Sequence, residues 1–240
     1  MTYKELGKVL KRKDNTLNYL CLDRSVNIVS SSFLTSLINL KEISISQCDC
    51  KEFWYCFAIA EFPNLECLDI YRLSYFKELA MLIEKTKGNI SYVNIYTENE
   101  NAKNTGMLIK AITNHCPNIK ELTTYLEPKD FIHVKLLLLN CRYLEYIFFD
   151  SLIFHVNGND NVGDKLLDII AKFSPNSLTK IYISGSWEYS IYALEQFFES
   201  CRERTLLEFR FTAFYDELTK DYEAVVEKYV KEGVILSFSR

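Results

Sequence analysis

The chain has no surplus of basic charge and no long apolar run. Lys and Arg number 28 against 32 Asp and Glu, a formal net charge of −4, and the isoelectric point is about 5.6. A general nucleic-acid binder would show a basic patch or stripe. The one tight basic run, Lys11-Arg12-Lys13, reads as a solvated helix end. No apolar stretch reaches membrane-spanning length, and the N-terminus lacks the charged-then-apolar pattern of an export signal. The sequence therefore points away from nucleic acid and membrane, and toward the cytoplasm, the nucleus or both. The sequon Asn89-Ile90-Ser91 is discounted on the same grounds, since Ile90 fits a core position.

Catalytic signatures are missing as well. An enzyme needs groups that converge. The three histidines do not: His115 falls at a helix end, His133 inside a helix and His155 in a long loop. There is no Gly-rich phosphate loop, metal-binding helix motif or nucleophile elbow. Eight cysteines are present without a Cys-x-x-Cys pair. The densest set is Cys48, Cys50, Cys56 and Cys67, and strand alternation turns Cys67 away from the core. No metal, cofactor or catalytic activity is expected. Cys48 follows Ile45 by three residues, while Cys116, Cys141 and Cys201 precede apolar anchors where helices should end. At such places cysteine acts as a small buried hydrophobe, and free thiols suit a reducing compartment.

What the chain has is a repeat. One apolar stencil returns eight times: Leu17-Leu20-Leu22, Leu40-Ile43-Ile45, Leu65-Leu68-Ile70, Ile90-Val93-Ile95, Ile119-Leu122-Thr124, Leu144-Ile147-Phe149, Leu178-Ile181-Ile183 and Leu206-Phe209-Phe211. First anchors recur every 23 to 34 residues, the period of a stacked repeat. In one copy, Pro63-Asn64 stops a helix, Leu68 and Ile70 alternate with Cys67, Asp69 and Tyr71, and Phe76, Leu79, Ala80, Leu82 and Ile83 follow at helical spacing. Gly88 then suits a left-handed helix cap. Helices are expected over 52–62, 75–86, 103–115, 129–140, 163–173, 189–200 and 217–231. One such unit cannot bury its apolar face alone, whereas stacked units can. Strands lie about 4.8 Å apart and helices are about 10 Å wide, so the helix side must fan out.

Residues 1–240 are thus expected as a single array. Residues 1–13 form the helix of a partial repeat, with Thr2-Tyr3-Lys4-Glu5 as a capping box; 14–214 hold eight repeats; 215–240 hold a last helix and strand, with Val234, Leu236 and Phe238 alternating. The N-terminal edge is expected to continue a longer array or to be covered. Thr124 replaces an aliphatic anchor and should weaken its turn slightly. Asn157-Gly158-Asn159-Asp160-Asn161 lengthens another turn and reads as a surface loop over 153–164.

The runs Cys116-Pro117-Asn118-Ile119-Lys120-Glu121-Leu122, Phe62-Pro63-Asn64-Leu65, Ser174-Pro175-Asn176-Ser177-Leu178 and Cys141-Arg142-Tyr143-Leu144 resemble leucine-rich repeats of the cysteine-containing type. Such repeats occur in F-box/leucine-rich-repeat proteins, the divergent fungal sets above all, and the resemblance spans about residues 14 to 238. It implies an α/β fold: a right-handed leucine-rich-repeat solenoid, or horseshoe, with parallel strands on the concave face and helices on the convex face. It also implies substrate recognition in a ubiquitin ligase, whose Skp1-type adaptor docks on an F-box. The sixteen residues before Leu17 show no F-box, so Skp1 is a partner only if one lies elsewhere. Ribonuclease-inhibitor-like proteins share the architecture without a ligase, and a stand-alone scaffold or inhibitor is the alternative.

The positions alternating with the anchors should form the open face. Seven of these 24 are Tyr, against 16 Tyr in 240 residues overall; tyrosine offers contact area at low entropy cost. The same set holds six acids (Asp23, Glu42, Asp69, Glu121, Asp150, Glu208) and two bases (Lys180, Arg210). The expected contacts are Asp69, Tyr71, Tyr92, Tyr96, Glu121, Tyr125, Tyr146, Phe148, Asp150, Tyr182 and Arg210. The expected partner is a protein or peptide with a basic patch, bound by a monomer through charge and cation–π contact.

Overall fold

The computed structural model describes residues 16–24, 31–97, 103–151, 162–185, 187–204, 206–213 and 220–239. The helix expected over 1–13 and most of the asparagine-rich insertion lie outside these residues. The chain divides into two compact units, Met1–Ile119 and Lys120–Arg240.

In the first unit strands alternate with helices: β1 (Tyr19–Asp23), α1 (Ser31–Leu34), β2 (Glu42–Ser46), α2 (Lys51–Ile59), β3 (Cys67–Tyr71), α3 (Phe76–Ile83), β4 (Tyr92–Tyr96) and α4 (Thr105–His115). The strands pair in parallel and without offset. Leu20 pairs with Ile43, Ile43 with Leu68 and Leu68 with Val93; Leu22, Ile45, Ile70 and Ile95 form the next row. Equivalent repeat positions therefore share a row, and a one-residue slip would expose every anchor. Ile43, Ile45, Leu68, Ile70, Val93 and Ile95 are all buried. Trp54, Phe57, Phe62 and Phe76 fill the space behind them, and Trp54 Nε1 donates to the Cys48 carbonyl at 2.9 Å.

The turns are laced together by one repeated bond. Asn64 Nδ2 donates to the Ile38 carbonyl, Asn89 Nδ2 to Pro63 and Asn118 Nδ2 to Gly88, each at 3.1 Å. Each asparagine precedes a first anchor, so the ladder turns the Pro-Asn stop signal into a contact between successive repeats. Gly88 has φ +80, as its cap requires, and an added Cβ would come within 3.3 Å of Pro117.

The second unit holds β5 (Glu121–Leu126), a 3-10 turn (Pro128–Asp130), α5 (Phe131–Asn140), β6 (Tyr146–Ser151), α6 (Val162–Phe173), β7 (Lys180–Gly185), α7 (Ile191–Ser200), β8 (Glu208–Ala213), α8 (Lys220–Lys231) and β9 (Phe238–Ser239). Its strands are also parallel and in phase, with Leu122, Ile147, Ile181 and Phe209 in one row. The turn bond persists with serine: Ser177 Oγ donates to the Arg142 carbonyl at 2.9 Å. Phe197, Phe198, Phe209 and Tyr229 pack as an aromatic core. No described helix is long and apolar enough to cross a membrane.

Three expectations need adjusting. The one-turn helix α1 lies in a repeat whose helix the spacing does not reveal. Helix α2 stops at Ile59 instead of 62, because the residue before Pro63 is pushed out of helical geometry. The ninth strand does not alternate from Val234. Ile235 is buried and aligns with Leu206, and Phe238 aligns with Phe209, while Leu236 is 60% exposed. The last strand follows the first two anchors of the stencil, so the three-residue step from Ile235 to Phe238 decides it.

Candidate protein-binding face

In each unit, the side of the strands away from the helices carries the residues that alternate with the anchors. In the first unit they form three rows: Tyr19, Glu42, Cys67 and Tyr92; Cys21, Ser44, Asp69 and Asn94; Asp23, Ser46, Tyr71 and Tyr96. These twelve positions hold three acids and no Lys or Arg. Asp69, Tyr92 and Tyr96 are half-buried, and Tyr71 is 44% exposed. The Tyr71 and Tyr96 rings stack with centroids 5.2 Å apart and planes 17° from parallel, a separation close to the strand spacing. Asn94 Nδ2 donates to Asp69 Oδ1 at 2.7 Å. At the rim, Arg24 and Gln47 follow β1 and β2 in left-handed backbone, and the Arg24 guanidinium donates to the Gln47 side chain.

In the second unit the rows are Glu121, Tyr146, Lys180 and Glu208; Thr123, Phe148, Tyr182 and Arg210; Tyr125, Asp150, Ser184 and Thr212. Its acids nearly balance its bases. Tyr146 and Phe148 each meet the Tyr182 ring edge to face, at 5.0 and 6.2 Å. The Arg210 guanidinium lies 4.6 Å from the centre of that ring and 3.6 Å from Glu208. The Tyr182 hydroxyl bonds to Glu208, and burial together with that bond raises its pKa. Tyr182 thus already holds a cation supplied by the chain.

The structure brings Asp69, Tyr71, Tyr92 and Tyr96 together in the first unit, and Tyr146, Phe148, Tyr182 and Arg210 in the second. Glu121 is exposed at the end of its row. Tyr125 is the departure. It sits in the expected row but is only 6% exposed, and its hydroxyl donates to Asp150, as do the Ser184 hydroxyl and the Ser151 amide. Burial raises the Asp150 pKa and these bonds oppose the rise. Tyr125 and Ser184 therefore hold Asp150 and offer little contact area. Asn94, Ser46 and Ser184 were not among the expected site residues, yet the rows place them there. All three are among the 24 alternating positions that the stencil itself assigns to the open face.

Burial pushes the Cys48 thiol up to about 11 and the Cys141 thiol up to about 12, and Cys116, Cys141 and Cys201 are all buried. At neutral pH such thiols are protonated and unreactive. Among the described residues no group of three or more His, Cys, Asp and Glu could hold a metal ion. His155 lies outside the described residues, and His133 is half-buried within α5.

The architecture is similar to that of the leucine-rich repeat-containing protein LegL7 from Legionella pneumophila, with a TM-score of 0.53 over 99% of this chain and 77% of that one. The fold is an α/β solenoid of the leucine-rich-repeat type. At 12% identity the likeness is one of fold alone. The tropomodulin C-terminal domain of Caenorhabditis elegans covers 96% of this chain and 99% of its own at 16% identity, with a TM-score of 0.34. No family model and no curated protein matches the chain.

Proposed function

We propose that the chain is a non-catalytic protein-binding scaffold, and that the open strand face of the first unit takes a partner segment rich in basic residues. The observation that carries this reading is the composition of that face: Asp23, Glu42 and Asp69 with no Lys or Arg, set among Tyr19, Tyr71, Tyr92 and Tyr96. Like charge concentrated on one face steers a partner of opposite sign. Tyrosine rings add contact area and faces for cations. The second unit's own face is partly neutralised by Arg210 and Lys180 and carries the aromatic residues Tyr146 and Phe148.

The test is affinity purification with mass spectrometry, comparing wild type with a Tyr71→Ala, Tyr92→Ala double variant. Partners recovered by wild type and lost by the folded variant support the reading; an unchanged set of partners contradicts it. A second reading follows from the buried Cys116, Cys141 and Cys201, which favour the cysteine-containing repeat type. On that reading the same face selects substrates for a ubiquitin ligase. Co-purification with Skp1 from cells expressing the full-length protein tests it, and no association there would remove it.

A further inference from the structure

In the row Asp23, Ser46, Tyr71, Tyr96, two neighbouring strands carry stacked rings and the next carries a serine. The stack therefore stops over Ser46. One face of Tyr71 rests on Tyr96, the ring as a whole is 44% exposed, and the strand beyond Ser46 brings Asp23. Two strand spacings separate Tyr71 from Asp23, about 10 Å, which leaves room for one flat group above the serine. Asp69 stands beside this space, one outward position back along β3, with Oδ1 already bonded to Asn94 at 2.7 Å.

A planar cation fits these features. A guanidinium can stack on a tyrosine face and pair with a carboxylate at once, whereas a lysine ammonium is a compact, strongly hydrated point charge. The second unit contains such an arrangement built from its own residues: the Arg210 guanidinium lies over Tyr182 at 4.6 Å and 3.6 Å from Glu208. The first unit has the ring and the carboxylates on its strands, and no basic residue among its twelve outward positions; at the rim the Arg24 guanidinium is engaged by the Gln47 side chain.

We infer that the space over Ser46, between Tyr71 and Asp23, is a subsite for an arginine side chain of the bound partner. This rests on the reading of the first unit's face as a site for basic segments, and it narrows that reading from positive charge in general to guanidinium. The planar group continues the Tyr96–Tyr71 stack by one layer, with its positive charge close to the carboxylates of Asp23 and Asp69.

The experiment uses the full chain and three fluorescein-labelled decapeptides that are identical except for three evenly spaced Arg, Lys or Glu residues. Fluorescence anisotropy should show the Arg peptide binding about tenfold more tightly than the Lys peptide, and the Glu peptide not binding. Ser46→Tyr fills the space without changing charge and should reduce the Arg peptide to the Lys level. Tyr71→Ala and Asp23→Asn should do the same, which keeps the test independent of any one variant's folding, checked by circular dichroism. Equal affinity for Arg and Lys peptides, unchanged by Ser46→Tyr, overturns the subsite and leaves the acidic-face reading standing. No preference for either basic peptide over the Glu peptide overturns both.

Discussion

Asn94 donates through Nδ2 to Oδ1 of Asp69 across the β3–β4 pair, at 2.7 Å. The bond joins equivalent positions of successive repeats and fixes one carboxylate oxygen on the open face. Asn94 is itself buried, so this partner of the carboxylate is held in place. Replacing Asn94 with Ala should cost about 1–2 kcal/mol in urea unfolding. Asn94→Asp should cost more at pH 7, and that loss should shrink as pH falls and the carboxylate pair takes up a proton.

Thr124 occupies an inward column otherwise filled by aliphatic and aromatic anchors. It is fully buried, and its hydroxyl lies 3.5 Å from the Tyr125 carbonyl, a poor hydrogen bond. Thr124→Val keeps the shape and removes a badly satisfied polar group. It should stabilise the second unit by about 0.5–1.5 kcal/mol. A loss of stability in chemical denaturation would show that the hydroxyl is better paired than its geometry indicates.

Much of this was legible in the chain. The stencil gave the strands and their phase because every anchor row must face the helices, and every helix but α1 followed from its apolar spacing. The balance of charge on the open face was also readable. Three things were not. Tyr125 and Tyr71 occupy the same kind of outward position, yet one is buried and bonded to Asp150 on the next strand, a cross-strand contact that no single repeat contains, and the other is exposed. Arg210 counted as a contact for a partner, while its guanidinium is engaged by Tyr182 and Glu208. The serine gap beside Tyr71 exists only once rows are assembled. Local pattern fixes which face a residue takes; its neighbours across strands fix what it does there.

Asp150 should make stability depend on pH. Burial holds its folded pKa above the ordinary 3.8, against bonds from Ser184, Tyr125 and Ser151. An acid whose pKa is raised by folding binds its proton more tightly in the folded state, so stability falls as pH rises from the ordinary value through the raised one. Asp150→Asn removes that titration. The wild-type protein should lose ground to the variant as pH rises through this window, and the gap should level off above it. Tyr125→Phe removes one donor and should move the window upward. Urea midpoints measured from pH 3 to pH 7 would check both; parallel curves would show that burial does not dominate at Asp150.

Gly185 ends β7 with φ +107, and an added Cβ would run into Ser151 Oγ and lie 2.8 Å from the Ser151 amide nitrogen. Both the backbone angle and the backbone contact resist a side chain. Gly185→Ala should lower stability by more than about 1 kcal/mol, whereas Gly233→Ala, with nothing within 4 Å, should show only the strain of its own φ. A thermal-shift comparison of the two variants separates crowding from backbone strain, and equal losses would remove the crowding.

The most direct measurement is the dissociation constant of a partner recovered by affinity purification, for wild type, Tyr71→Ala and Tyr55→Ala, at low and high salt. Tyr55 is 65% exposed on α2, on the helix side of the same unit. If the strand face binds, Tyr71→Ala weakens the complex about tenfold or more, Tyr55→Ala leaves it unchanged, and added salt weakens the wild-type complex. Binding lost through Tyr55 and kept without Tyr71 would put the interface on the helices and contradict the assignment.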